Sequence, residues 1–250
     1  MLTLRFASTA LLYNYDKRKS ISQTKIKCLL WFIHRKEFII KITIVCANGR
    51  AGKLILEEAV NRGHEVTAIV RNNRDLPDTV NIIEKDLFDI TLNDVKSSNV
   101  VINAFGAWTE ETLPSLPAAT KHLSDILSGS DIRLLVVGGA GSLYVNPEHT
   151  LCVEDGPDFP DIFKPVSAAH GETLRALRVR NDVLWTYLSP AGDFQADGIR
   201  SGKYILGGEE LTLNSKGESV ISYADYAIAM VDEAENGNYI QKRFSVVADY

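Results

Sequence analysis

The stretch from Lys41 to Asn72, KITIVCANGRAGKLILEEAVNRGHEVTAIVRN, constrains the fold more than any other part of the chain. Lys41 to Cys46 is a β-branched apolar run, the pattern of a strand buried on both faces. Asn48-Gly49-Arg50-Ala51-Gly52 supplies the turn that follows it. Leu54, Ile55, Ala59 and Val60 then recur at helical spacing, and Asn61 to Gly63 ends the helix on a glycine. Glu65 to Val70 is a second apolar run, closed by Arg71. Strand, glycine turn, helix and strand within about thirty residues make one right-handed crossover unit. The expected class is therefore α/β, with a doubly wound, mostly parallel sheet.

The turn has a chemical consequence. A helix N-terminus presents unpaired N–H groups and a partial positive charge, so it attracts phosphate. A pyrophosphate approaches closely only where side chains are absent, as at Gly49 and Gly52. The end of the second strand then meets an adenosine ribose. An acid there would bind a free 2′-hydroxyl, but Arg71 holds the position and Arg74 follows. Guanidinium groups pair with phosphate through parallel charge-assisted bonds, so NADP is expected over NAD. A pair of glycines alone equally suits an ordinary tight turn, and it is the strand, helix and basic residue around it that favour the dinucleotide.

These residues, with Val70-Arg71-Asn72, resemble the nucleotide-binding end of the atypical short-chain dehydrogenase/reductases. Within that group the chain is similar to NmrA-like, NAD(P)H-binding proteins labelled NADH-flavin reductases, which also resemble biliverdin-IXβ/flavin reductase. Gly138-Gly139-Ala140-Gly141-Ser142 and Trp185-Thr186-Tyr187-Leu188-Ser189-Pro190 carry the same resemblance. It implies a Rossmann-type domain over residues 41–250 with a small substrate-side lobe near residues 193–220. It also implies that Asp86 and Leu87 lie beside the adenine, that the Gly139 loop faces the nicotinamide, and that Ser142 contacts substrate. The family pattern is Gly-x-x-Gly-x-x-Gly, and here Cys46 replaces its first glycine, a substitution that fits if the cysteine takes a negative φ.

Elsewhere along the chain, Thr79 to Ile83, Asn99 to Phe105, Ile132 to Val137 and a run ending at Pro190 read as further strands. Short strand-like stretches fall at Tyr204 to Leu206 and Leu211 to Leu213, with a last strand at Phe244 to Val247. Helices are expected near Leu116 to Ser128, Asp161 to Asn181 and Ser222 to Asn236. Ligands of such sheets collect at the carboxyl ends of the strands, so the backbone of Ala104, Phe105 and Gly106 is expected over the dinucleotide. Bland readings stand beside several of these. Asp86 also suits a cap for a helix beginning near Thr91, Ser142 a turn hydroxyl, Trp108 a rim aromatic rather than a ring that stacks on a cofactor, and His122 a surface residue.

Alcohol oxidation in short-chain dehydrogenases uses Tyr-x-x-x-Lys on one helix face, where the ammonium lowers the tyrosine pKa. Only Tyr13/Lys17 and Tyr15/Lys19 have that spacing, and both precede the first strand. The helix where the pair belongs offers Phe163, Lys164 and His170. Hydride transfer to a flavin, quinone or similar planar acceptor needs no such dyad, because the acceptor takes its proton from water. The rival is an NADP(H)-sensing regulator without turnover. A sugar-nucleotide epimerase would need the dyad and a larger C-terminal domain.

The 250 residues suit one large α/β domain. Three widely spaced cysteines give neither a disulfide framework nor metal-ligand spacing, so no metal is expected and a reducing cytoplasm suits them. Of 27 basic and 32 acidic side chains, eight and two fall in residues 1–40, which leaves an acidic body of 19 against 30. Nucleic acid is therefore not an expected partner, nor is a membrane, and a monomer or homodimer is expected. The basic N-terminal extension is open to four readings: a cleaved signal, an organellar presequence, a membrane-surface arm, or a start assigned upstream of native initiation near Ile40.

Overall fold

The structure, a computed structural model, describes residues 39–73 and 76–249. The N-terminal extension, the Tyr13/Lys17 and Tyr15/Lys19 pairs and Arg74 lie outside the described residues. The crossover unit runs through β1 (Lys41–Val45), α1 (Arg50–Asn61) and β2 (Glu65–Val70). It is followed by β3 (Asn81–Glu84), the short α2 (Leu92–Val95), β4 (Val100–Asn103), α3 (Ser115–Leu127) and β5 (Arg133–Val137). Then come α4 (Lys164–Arg178), β6 (Leu184–Ser189), β7 (Asp193–Gln195) and β8 (Tyr204–Gly207). The chain closes with β9 (Val220–Ser222), α5 (Tyr223–Asn236) and β10 (Lys242–Ala248).

The main sheet has the order β3-β2-β1-β4-β5-β6-β10-β8, parallel except for β8 at its edge. This is a Rossmann-like, doubly wound sheet. From β1 the chain first moves outward to β2 and β3, then returns to β4 on the other side. The crevice at that reversal lies beyond the carboxyl ends of β1 and β4.

Burial on both faces explains the near-continuous apolar strands. Ile42 and Ile44 pack with Ile55 and Leu56 of α1 and with Tyr226 and Met230 of α5 on one side. Val45, Ile69 and Trp185 pack with Leu123 and Leu127 of α3 and Leu174 and Leu177 of α4 on the other. Each such side chain removed from water contributes about 2 kcal/mol.

Helices α1 and α5 run side by side in the same direction. At their C-terminal ends Arg62 of the α1 cap meets Asp232 at 2.6 Å and Glu235 at 3.0 Å, and His64 Nε2 lies 2.9 Å from Glu235. Their N-terminal ends therefore open at the same edge of the sheet.

Two local expectations are corrected. Leu211 to Leu213 is not a strand: Leu211 N donates to Tyr144 O at 2.8 Å and Tyr144 N to Glu209 O at 2.9 Å, a single bridge to the loop after β5. Asp86 does not cap the helix near Thr91, because Thr91 and Asp94 form their own capping box there. Asp86 instead accepts from Phe88 N at 3.0 Å and caps the 3-10 turn Leu87–Asp89. Within residues 193–220 β8 joins the edge of the main sheet, while β7 and β9, three residues each, pair in parallel as a separate small sheet.

Candidate functional site

All of the expected cofactor residues sit in loops that leave the carboxyl ends of parallel strands, or in the helix turn just after one. Asn48, Gly49, Arg50, Ala51 and Gly52 follow β1, Arg71 follows β2, and Asp86 and Leu87 follow β3. Ala104, Phe105 and Gly106 follow β4, and Gly139 and Ser142 follow β5.

Gly49 is the N-cap of α1 and offers no side-chain cap, and the first turn contains no acid. Gly49 N donates to Cys46 O at 3.0 Å and Lys53 N to Gly49 O at 2.8 Å. The intervening amides of Arg50, Ala51 and Gly52 have no acceptor among the described residues. A β-carbon on Gly52 would lie 2.5 Å from Cys46 O, so only glycine lets α1 close onto the end of β1.

Cys46 takes φ 61°, so the condition under which a cysteine fits there without strain, a negative φ, is not met. Its N–H still donates to Ile69 O at 2.9 Å, so the chain must leave the ladder and pass under α1 within one residue. That reversal requires left-handed backbone whichever residue holds the position. The thiol packs against the cluster that includes Ile69 and Leu87. Burial pushes its pKa up to about 11, with Arg71 pulling it down and Asp86 adding to the rise. The three strand ends thus bring Cys46, Arg71 and Asp86 within electrostatic reach of one another. Asn48 Nδ2 ties the first turn to the second by donating to Asn72 O at 3.4 Å.

Across the crevice, the loop after β5 rests on side chains to which sequence reasoning gave no role. Gly139 N donates to Tyr187 Oη at 2.9 Å. A β-carbon on Gly138 would lie 2.3 Å from the Tyr187 ring, and one on Gly139 would lie 2.9 Å from the His170 ring. His170 Nδ1 is 3.4 Å from Tyr187 Oη, and burial holds the imidazole pKa down near 4, so it is neutral at pH 7. A β-carbon on Gly141 would overlap Ser167 Oγ, which donates to Glu154 at 2.5 Å.

Ser142 Oγ accepts from Arg243 Nη1 at 3.1 Å. Asn103 orders the loop after β4, accepting from Phe105 N at 3.1 Å and donating to Thr120 at 3.0 Å. Trp108 is 63% exposed at the rim, and His122 Nε2 lies 3.0 Å from Ile90 O, a tie between α3 and the loop before α2. Arg243 follows Lys242 and just precedes the apolar run Phe244 to Val247, so nothing in the sequence signalled that its side chain is enclosed. Tyr187 and His170 were both in view, one within the Trp185 to Pro190 run and the other on the helix where a dyad belongs, but nothing local showed that the two meet.

Among the described residues no group of three or more His, Cys, Asp or Glu could hold a metal, and no helix is long and apolar enough to cross a membrane. An open cleft of about 420 Å³ lies between the first turns of α3 and α4, lined by Leu113, Pro117, Pro165, Ala169 and Arg175. It contains none of the turn or loop residues described above, so it is not taken as the site.

The sequence profile of an NAD(P)H-binding family matches residues 46–236. The protein YwnB of Bacillus subtilis (strain 168) is 44% identical over 210 residues, covering 84% of this chain and 99% of its own. Among solved structures, a "putative NADH-flavin reductase" of Streptococcus pneumoniae TIGR4 is 49% identical with a TM-score of 0.81, over 84% of this chain and 100% of its own. A "putative epimerase" of Bacteroides thetaiotaomicron is 33% identical with a TM-score of 0.74, over 85% and 98%. With the family match spanning most of the described chain and the glycine turn of α1 at the sheet's crevice, this protein belongs to the NAD(P)H-binding family.

Proposed function

We propose that the protein is an NADPH-dependent reductase that passes a hydride to a flavin, a quinone or a similar planar acceptor. The observation that carries the cofactor half is the first turn of α1: three amides without acceptors, no acid, and no side chain at Gly49 or Gly52. That set fits a pyrophosphate. Arg50, Ala51 and Gly52 would hold it from the helix, with Asn48 beside them. Arg71, exposed at the end of β2 where an acid would select NAD, would pair with a 2′-phosphate. Asp86 and Leu87 would border the adenine, and Ala104 to Gly106 and Gly139 the middle and nicotinamide end. When bound, the nicotinamide supplies the hydride.

The chain's own part is to position the two rings and keep water out. No described helix carries Tyr-x-x-x-Lys, and α4 has the neutral His170 in that region. A planar acceptor that draws its proton from water suits such a site. The S. pneumoniae relative's name points the same way. Ser142 keeps one O–H free to donate while its oxygen accepts from Arg243, which suits contact with an acceptor carbonyl.

The same missing dyad favours a second reading, an NADP(H) sensor of NmrA-like type that binds without turnover. Mixing the protein with NADPH and either free FMN or a quinone, and following the nicotinamide absorbance band, separates the two. Saturable oxidation that collapses in Gly49→Val or Gly52→Val supports the reductase. Tight binding of NADPH without turnover across a panel of acceptors sinks it and leaves the sensor.

A further inference from the structure

The face of α4 that meets the sheet carries His170, Leu174 and Leu177, spaced i, i+4 and i+7. Leu174 and Leu177 are each 1% exposed and pack with Trp185 and Tyr187 of β6. His170, one turn nearer the start of the helix, stands at the level of the loop after β5 and keeps part of its surface open to solvent. That surface does not belong to the cleft between α3 and α4, whose lining from α4 is Pro165, Ala168, Ala169, Glu172 and Arg175. The ring instead borders Gly139, where a β-carbon would lie 2.9 Å from Cγ and 3.0 Å from Cδ2. His170 therefore opens at the carboxyl ends of β5 and β6, on the side of the crevice where Gly139 lies.

The two ring nitrogens differ. Nδ1 lies 3.4 Å from Tyr187 Oη, whose oxygen already accepts from Gly139 N at 2.9 Å. The Tyr187 proton is shared between Nδ1 and His170 O, at 3.3 Å, and turned toward Nδ1 it leaves the ring proton on Nε2. Burial pushes the Tyr187 pKa up, so the hydroxyl keeps the proton that this tautomer needs. Nε2 of His64, His122 and His149 each has a partner, Glu235 at 2.9 Å, Ile90 O at 3.0 Å and Glu210 at 2.6 Å. Nε2 of His170 has none among the described residues. It is bonded to Cδ2, so the free nitrogen lies on the Gly139 side of the ring. Burial also holds the imidazole pKa near 4, so at pH 7 this nitrogen donates a hydrogen bond without bringing a charge.

We propose that His170 is a catalytic residue: its Nε2–H donates to the acceptor atom on which negative charge collects as the hydride arrives. The proposal rests on the reading of the protein as a reductase of planar acceptors. The acceptor forms a bond to the hydride released from the C–H bond of the dihydronicotinamide, which is oxidised, and takes the balancing proton from water. His170 keeps its own proton throughout and acts as a neutral electrophile, aimed at charge that develops in the transition state. Tyr187 is the positioning residue, since its hydroxyl meets Nδ1 and sets which nitrogen carries the proton. The missing side chain at Gly139 is what lets the loop after β5 lie directly on the ring.

The test compares the full chain as wild type, His170→Leu and His170→Gln, with melting temperatures to check that each variant is folded. In NADPH oxidation by FMN, kcat should fall about a hundredfold in His170→Leu, the loss typical of one donor to a developing anion, while the NADPH Kd stays within about twofold. His170→Gln, whose amide N–H takes the place of Nε2–H, should regain about tenfold of that loss. A readout without turnover comes from nitrogen-15 NMR of histidine-labelled wild type bound to NADP+, with the His170 signal assigned by its absence in His170→Gln. It should show a neutral ring protonated at Nε2, and the Nε2–H resonance should move downfield when FMN is added. A kcat for His170→Leu within about twofold of wild type overturns the proposal, as does a loss that lies wholly in the NADPH Kd. So does a His170→Gln variant no faster than His170→Leu, or a ring signal that FMN leaves unmoved. Wild type that oxidises NADPH with no acceptor at all sinks the reductase reading and this proposal with it, whereas the other failures leave an active reductase and overturn the proposal alone.

Discussion

Arg243 Nη1 donates to both oxygens of Ser142, to the carbonyl at 2.8 Å and to the hydroxyl at 3.1 Å. The guanidinium comes from β10, is completely enclosed, and is matched on its other side by Glu209, which accepts from Nε at 2.9 Å and from Nη2. The loop that ends the β5 side of the crevice is thus anchored through the sheet to a buried charge. Arg243→Met leaves Glu209 with Arg178 alone and the Ser142 carbonyl with only the weak Cys152 thiol donor, and should lower stability by about 3 kcal/mol. Ser142→Ala, which removes one acceptor of several, should cost about 1 kcal/mol. Urea unfolding of the two variants checks the ratio, and equal losses would show that the guanidinium is not the anchor.

Gly52 is the contact that lets α1 reach β1. Gly52→Ala forces a β-carbon against Cys46 O, and backbone rather than a flexible side chain must then move. A loss of about 2 kcal/mol is expected. NADPH binding should fall by more than the stability loss explains, because the displaced turn carries the free amides. Gly63→Ala serves as the control, since open space surrounds that site while its φ of 84° strains alanine as well. It should cost about 1 kcal/mol and leave binding intact.

Cys46 holds a left-handed conformation that glycine adopts without strain. Cys46→Gly relieves about 1–2 kcal/mol of strain but loosens the unfolded chain, so a net gain of about 0.5 kcal/mol is expected by thermal unfolding. The thiol itself should be inert. With its pKa pushed up to about 11, only about one thiol in a thousand is ionised at pH 8. In a Cys28→Ser/Cys152→Ser background, labelling by a disulfide reagent should be slow in the native protein and fast in denaturant. Rapid native labelling would contradict the buried placement.

His170 should govern part of the acid stability. Its folded pKa, near 4, lies below the unfolded value of about 6.5, because burial disfavours the charged ring. Above pH 6.5 the ring is neutral in both states and has no effect. As pH falls from 6.5 to 4, the unfolded chain takes up a proton that the native state refuses, and up to about 3 kcal/mol is lost. Melting temperature should therefore drop across that window. His170→Asn, which cannot titrate, should flatten the drop, and an unchanged slope in this variant would place the cause elsewhere.

The β1–α1–β2 unit, the glycine turn and the run of buried strands could be read directly, because each depends on local chemistry. Period, β-branching and the absence of a β-carbon act within a few residues, whatever the rest of the chain does. The placement of Asn48 to Gly52, Arg71 and Gly139 at one sheet edge follows from the same unit repeated. The left-handed φ of Cys46 is a different matter. It arises because β2 holds Cys46 in the ladder while α1 must close above it, and neither neighbour is visible from residue 46. Arg243 meets Ser142 across 101 residues, and β8 runs antiparallel to β10, only because β10 slots between β6 and β8. Tyr223 stands beside Arg50 for a similar reason, since α5 packs along α1 from the far end of the chain. Strand order is chosen by which faces can be buried together, a property of the assembled sheet, and the side chains brought together by that order complete the crevice.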